Sequence, residues 1–194
     1  AAPTFNWTYD NVPPTMTIAS TVDSGSTTNN TFILLTFTAS EEITGFDAVD
    51  IDVTGGNLTE FASTSATVYT AKFTPTGSGT AVVQATTIDV AGDKFTDAAG
   101  NNNTAAPTFN WTYDNFSPTM IITATNDTGV SIIESGSTTN NASILLTFTA
   151  SEEITGFDAG DIVVTNGTLS DFSGSGLVYT ATFHPTGSGT PVVQ

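Results

Sequence analysis

Cysteine is absent from the 194-residue chain, which excludes disulfides, zinc–thiolate sites and thiol catalysis but leaves the redox compartment open. Basic residues are scarce, because two Lys or Arg stand against 19 Asp or Glu and the formal net charge is −17. So acidic a chain repels phosphate backbones, which excludes nucleic acid as a partner. No apolar run reaches the roughly 18 to 20 residues of a membrane span, and no basic and apolar leader pattern opens the sequence.

Threonine and serine are abundant in place of charge, with 40 Thr and 17 Ser. Hydrophobic residues make up 38 % of the chain, which is enough to build a core and is unlike a disordered acidic tail. The length allows one or two domains. The composition therefore predicts a globular protein with a hydroxyl-covered surface.

The sequence contains a tandem repeat. Residues 1–11 (AAPTFNWTYDN) recur letter for letter at 105–115, and TFTASEEITGFDA from Thr36 recurs from Thr147. The shift grows from 104 to 111 residues because the second copy carries a seven-residue insertion at 126–132 (NDTGVSI). We therefore divide the chain into the terminal strand of a preceding repeat (1–10), a complete repeat (11–114) and a repeat truncated before its last strands (115–194).

Each repeat has the pattern of a β-sandwich. Short runs rich in Val, Ile, Thr, Phe and Tyr alternate with Gly, Asn, Ser and Pro clusters every 8 to 12 residues, and helical periodicity is absent. Ile33, Leu35 and Phe37 fall on one face of a strand by period two, and residues 144, 146 and 148 repeat them. The pattern predicts an all-β fold of tandem sandwiches with about seven strands each.

The segments PTMTI, SGSTTN, LLTFTASEEITGF, VYTA, PTGSGT and FTDAAGN occur in this order over essentially the whole chain. In that order they resemble the bacterial immunoglobulin-like repeats that stand in tandem in large surface adhesins and extender regions. The resemblance implies sandwiches of about 100 residues strung head to tail as an extracellular spacer or filament, often stiffened by calcium and without catalysis. Similar repeats on algal and viral surfaces leave a virion surface open as the location.

Calcium is the cofactor that we expect, with no organic cofactor. Ca²⁺ takes six to eight oxygen ligands, and loop carboxylates and Asn side chains at one pole of a sandwich can supply them. The alternative is that acidic residues lie solvated on loops, because basic partners are so few. The candidate ligands are Asp10, Glu41, Glu42, Asp47, Asp50, Asp97, Asn101, Asp114, Glu152, Glu153, Asp158 and Asp161.

Glycosylation is a second expectation. Nine of the 14 Asn stand in N-x-S/T sequons, although Asn and Thr are also the ordinary residues of turns and exposed strand faces. The candidate sites are Asn6, Asn29, Asn57, Asn102, Asn110, Asn115, Asn126, Asn141 and Asn166.

Enzymatic function is not expected. His184 is the single histidine and takes the place of Thr74 in the other repeat, so it is not part of the common design. No nucleophile elbow or phosphate loop is present. Glu41 and Glu42 would point to opposite faces of a strand and could not flank one glycosidic bond.

The sequence thus predicts a non-catalytic structural repeat of a surface adhesin or fibre, whose partners are neighbouring repeats of the same chain. Two alternatives stay open. One is an adhesion module that binds a glycan or a surface receptor, for which the insertion at 126–132 is the place to look. The other is a fibre subunit that donates residues 1–10 to the unfinished sandwich of the next subunit.

Overall fold

The computed structural model describes residues 2–77, 82–187 and 192–193, and the chain divides into two compact units, Ala1–Phe116 and Ser117–Gln194. The strands of the first unit are β1 (Met16–Ser20), β2 (Thr27–Thr28), β3 (Ile33–Ala39), β4 (Ile43–Thr44), β5 (Ile51–Thr54), β6 (Gly56–Ser63), β7 (Val68–Pro75), β8 (Val83–Val90), β9 (Thr96–Asp97) and β10 (Phe109–Asp114). Those of the second are β11 (Met120–Asn126), β12 (Ile144–Ile154), β13 (Val164–Thr165), β14 (Gly167–Pro185) and β15 (Val192–Val193). Single 3-10 turns span Ala48–Asp50 and Ala159–Asp161.

The first unit is a sandwich of two four-stranded sheets. Their strand orders are β1-β3-β7-β6 and β2-β10-β8-β5, and β4 pairs with β9 beside them. Every pairing in this unit is antiparallel except that of β2 with β10. Seven of its strands have four or more residues, which confirms the predicted all-β sandwich. No helix in the described part of the chain is long and apolar enough to cross a bilayer.

The core of the first unit follows the period-two pattern of the sequence. On β3, Ile33, Leu35 and Phe37 are at most 1 % exposed, while the residues between them face outward or are half-buried. The aromatic residues of β10 close the core from the opposite sheet, where Trp111 packs edge-on against Phe73 at 4.8 Å between ring centroids. Burial of these alternating positions is what selects the strand register.

The chain enters and leaves the first unit at opposite poles. It enters beside the end of β3, where Met16 pairs with Ala39, and it leaves at Asp114, which pairs with Val83 at the start of β8. The far end of β8, at Val90, lies at the pole of entrance. Ala106 N donates to Val90 O just before β10 begins, and two residues earlier Thr104 N donates to Pro14 O in the entering segment. Because β8 is eight residues long, its two ends lie about 23 Å apart at the usual rise per residue.

The second unit repeats this design in part. Its sheets are β11-β12-β14 and β13-β15, and β14 covers the counterparts of both β6 and β7. Its aromatic cluster matches that of the first unit. The ring of Phe157 packs against Phe148, Phe172 and Tyr179 at 5.7, 5.6 and 5.1 Å, as that of Phe46 packs against Phe37, Phe61 and Tyr69 at the same three distances.

One repeated sequence has different structures in the two units. The segment SGSTTNN at 24–30 contains β2, which pairs with β10, whereas its copy at 135–141 contains no strand. In the described part of the second unit, no strand takes the place that β10 has beside β2 in the first unit. The two-residue strand therefore depends on its partner rather than on its own sequence.

Residues 2–15 form no strand in this structure, although 1–10 match the sequence of β10. The division of the chain into 1–10, 11–114 and 115–194 stays a prediction.

Candidate functional site

Three of the predicted calcium ligands meet at the pole where the chain enters the first unit. One carboxylate oxygen each of Asp10, Glu41 and Asp97 lies within 4.8 Å of the other two. Among the described residues, no other group of three His, Cys, Asp or Glu side chains is gathered this closely. We call these three residues the acidic cluster.

The local fold explains why these side chains converge. Glu41 follows the end of β3, and two residues later Ile43 pairs with Asp97 in the short β4–β9 ladder. Asp97 opens the turn DAAGN, in which Asn101 N donates to Asp97 Oδ1 and Asn101 Nδ2 donates to Asp97 Oδ2, both at 2.8 Å. Gly100 allows this turn because its φ is +90°.

Asn101 also brings Asp10 to the cluster. Its Nδ2 donates to Asp10 O at 3.2 Å, while Val12 N donates to Asp10 Oδ1 at 3.0 Å. The predicted ligand Asn101 thus positions two of the three carboxylates, one by its hydrogen bonds to the side chain and the other through the backbone.

The electrostatics of the cluster are unbalanced. Hydrogen bonds from Asn101 lower the pKa of Asp97 although burial opposes them, so Asp97 is a buried carboxylate held in its charged form. Desolvation raises the pKa of Glu41, and the negative charges of Asp10 and Asp97 raise it further. Within the described ranges, Lys72 forms a salt bridge with Glu60. None of the three residues of the acidic cluster forms one there.

The donor chemistry of the cluster fits a hard divalent cation. All three ligand groups are carboxylates, and a set of oxygen ligands without Cys or His suits calcium or magnesium better than zinc or copper. The expectation that acidic side chains lie solvated on loops is wrong for Asp97, which is 3 % exposed.

Other predicted ligands serve local structure. Asp47 caps the 3-10 turn Ala48–Asp50, where its side chain accepts from Val49 N and the Asp50 side chain accepts from Asp47 N. Asp158 and Asp161 form the same capping box in the second unit. These four carboxylates satisfy backbone N–H groups and lie outside the acidic cluster.

The remaining candidates are separate from the cluster. Glu42 and Glu153 are exposed. Asp114 ends β10 and accepts from Phe116 N at 2.9 Å, as Asp10 does from Val12 N. Glu152 is the counterpart of Glu41, and its Oε1 is buried with no hydrogen-bond partner in the described part of the chain.

The sequon asparagines lie on the surface. Six are exposed: Asn6, Asn29, Asn57, Asn102, Asn110 and Asn166. Asn115, Asn126 and Asn141 are half-buried. Asn126 is part of the insertion, and its Oδ1 accepts from Val130 N and Ser131 N at 3.0 and 3.1 Å.

Sequence reasoning missed a cluster of Ser170, Asp171 and His184. Ser170 Oγ donates to Asp171 Oδ2 at 2.7 Å and lies 3.0 Å from His184 Nε2. The serine proton faces Asp171, and the donor in the contact between Ser170 and His184 depends on the histidine tautomer. This arrangement is exposed and differs from a catalytic triad, in which the carboxylate orients the histidine. The register of the first unit, where Asn57 pairs with Thr74, would have placed His184 opposite Thr168 and one diagonal position from Ser170.

Comparison with known proteins gives a family match and a similar solved structure. The family of bacterial Ig-like domains matches residues 10–113 and again residues 114–193. No curated protein matches the chain. A solved structure of InvD from Yersinia pseudotuberculosis is similar at 17 % identity and a TM-score of 0.38, over 96 % of this chain and 53 % of that one. This chain thus spans about half the length of the InvD chain in that structure. Since the two family matches together cover nearly all of the sequence, the chain belongs to the family of bacterial Ig-like domains and carries two of them in tandem.

Proposed function

We propose that the chain is part of a rod or spacer that projects from a cell surface. Bacterial Ig-like domains are typical of surface-exposed proteins and generally serve structural rather than enzymatic roles. The observation that carries the proposal is the position of the chain ends in the first unit. A chain that enters a unit at one pole and leaves it at the other is suited to a head-to-tail array.

The junction before the first unit supports a stiff connection. Pro13 and Pro14 have fixed φ angles, and Pro14 is buried with its carbonyl accepting from Thr104 N at 3.2 Å. Thr15 N donates a hydrogen bond to Ser40 Oγ, and Thr15 O accepts one from Ser40 N. Little free linker is left between Asp10 and β1, which favours a rod over a flexible tether.

Solution scattering tests the rod. A compact protein of this length has a radius of gyration of about 16 Å. We expect a clearly larger value, and a further increase for each repeat added to the chain. A value near 16 Å that grows only slowly with added repeats would overturn the proposal.

We further propose that calcium binds the acidic cluster and stiffens this junction. Asp10 comes from the incoming segment, whereas Glu41 and Asp97 belong to the sandwich, so one ion would tie the two together. It would also cancel the repulsion that raises the pKa of Glu41.

Thermal unfolding with calcium and with EDTA tests this site. At calcium 100 times its Kd, a bound ion stabilises the first unit by about 2.7 kcal/mol. Glu41→Gln should abolish most of this gain, while the matched Glu42→Gln should keep it, because Glu42 lies outside the cluster. Identical melting curves with calcium and with EDTA would exclude the site.

The insertion at 126–132 favours a second candidate function, the binding of a glycan or a surface receptor. Val130 and Ile132 are 81 % and 72 % exposed there, on a turn fixed by Asn126. Deleting 126–132 should abolish saturable binding to cells if this function is correct, and should leave it unchanged otherwise. Glycan attachment at the exposed Asn6 and Asn110 is a separate proposal, which the peptide masses of native material test.

A further inference from the structure

The same eleven-residue sequence has two environments in this chain. At 105–115 it contains β10, in which Phe109, Trp111 and Tyr113 are 6, 2 and 1 % exposed. At 1–11 the corresponding residues Phe5, Trp7 and Tyr9 are 88, 72 and 71 % exposed. Three large aromatic side chains are therefore left in water, although the sequence that carries them packs well as a strand.

The position of β10 defines the surface that fits this sequence. One edge of β10 pairs antiparallel with β8 at six positions, from Phe109 with Ile88 to Asp114 with Val83, and the other edge pairs parallel with β2. Thr86 Oγ1 donates to Trp111 O at 2.7 Å inside the core. The matching partner is a sandwich with a free place between a β2-type and a β8-type strand.

The first unit of this chain cannot receive its own N-terminal segment. That place is filled by residues 109–114, and Asp10 is held by Asn101 at the pole opposite Asp114. The second unit does not match either, because β15 contains the counterpart of only one of the six paired β8 positions, Val83. Neither unit, as far as its residues are described, therefore offers an open place of the first unit's type.

We propose that residues 4–10 are an interaction element whose partner is a preceding sandwich of the same repeat type, in which they form the last strand. This inference rests on the proposed tandem array and deepens it. A second copy of the chain is disfavoured, because its first unit already contains residues 109–114 in the required place.

The proposal makes the junction residues common to two sandwiches. In the first unit, Asp114 pairs with Val83, while Val82 N donates to the side-chain Oδ1 of Asn115 at 2.7 Å and Asn115 N donates to Val82 O at 3.1 Å. Asp10 and Asn11 would make the same contacts in the preceding sandwich, while the Asp10 carboxylate stays in the acidic cluster of the next one. No free residue then separates the end of one repeat from the metal site of its neighbour.

Trp7 fluorescence tests the proposal in the Trp111→Phe background, where Trp7 is the single tryptophan. Residues 11–104 are fused directly before Ala1, which supplies a sandwich without its last strand. We expect the Trp7 emission to shift to the blue and iodide quenching to fall several-fold against the unextended chain. The Trp7→Phe variant, with Trp111 alone, gives the reference for a buried tryptophan.

Trp7 that is quenched equally with and without the added repeat would overturn the proposal. Protection of Trp7 in the unextended chain that increases with protein concentration would also overturn it, and would identify a second copy as the partner. Neither readout depends on the radius of gyration, so a failure of the rod proposal is distinguishable from a failure of this one.

Discussion

Trp111 and Trp7 form a matched pair of substitution sites, because each is the seventh residue of the same eleven-residue sequence. Trp111 is 2 % exposed, and its ring lies 4.8 Å from that of Phe73 and 5.8 Å from that of Phe109. Its truncation to alanine removes these contacts and leaves a cavity, which costs about 3 to 5 kcal/mol. Trp7 is 72 % exposed, so we expect Trp7→Ala to change the stability by no more than about 0.5 kcal/mol.

Urea unfolding followed by circular dichroism measures the difference. At a slope of about 1.5 kcal/mol per molar urea, Trp111→Ala should move the midpoint of the first unit by about 2 to 3 M. The transition of the second unit should stay in place and serves as an internal control. Trp111→Phe should cost much less than alanine, because it keeps an aromatic ring and removes an indole N–H that is buried without a partner among the described residues. Equal shifts for Trp111→Ala and Trp7→Ala would refute the reasoning.

Three further predictions concern single residues of the first unit. Asn103→Ala should destabilise it by about 2 kcal/mol or more in thermal unfolding, because the buried amide accepts from Lys94 N and Phe95 N, while the exposed Asn102→Ala should have little effect. Gly56→Ala should be severely destabilising in the same assay, because an added Cβ would overlap the Phe73 ring. Asp97 has a lowered pKa, so its stabilising contribution is complete above its unfolded pKa and is lost as the pH falls through the folded one. Acid unfolding should reveal this loss, and Asp97→Asn should remove it from the titration.

Much of the fold could be predicted from the sequence because buried and exposed residues alternate along the core strands. The alternation of Ile33, Leu35 and Phe37 identified a strand and its buried face, and both were confirmed. Because the sequence is repeated, each strand could be predicted from two copies. The matching aromatic clusters around Phe46 and Phe157 show that equivalent residues pack alike. Two-residue strands such as β2 were not predictable, since their partners lie far away in sequence.

The candidate site was predictable only as a set of residue types. Acidic loops at one pole were expected to converge, and Asp10, Glu41 and Asp97 do so. Asp47 and Asp50 were predicted as ligands together with them, although the D-x-x-D spacing of these two is a capping signal that could have set them apart. The pairing of β4 with β9 brings Glu41 to Asp97, and a pairing between residues so distant in the chain has no local signature.

The duplicated sequence AAPTFNWTYDN shows that this sequence alone does not determine whether a strand forms. A strand propensity alone would give both copies the same structure, yet one is paired on both edges and the other has no strand. The aromatic side chains contribute about 1.5 to 3 kcal/mol each only when a complementary sheet covers them. The sequence therefore specifies a strand together with the kind of surface that it needs. Under the proposal that residues 4–10 complete a preceding sandwich, the position of a copy along the array decides which sandwich provides that surface, and each junction would add stability through contacts between neighbouring repeats.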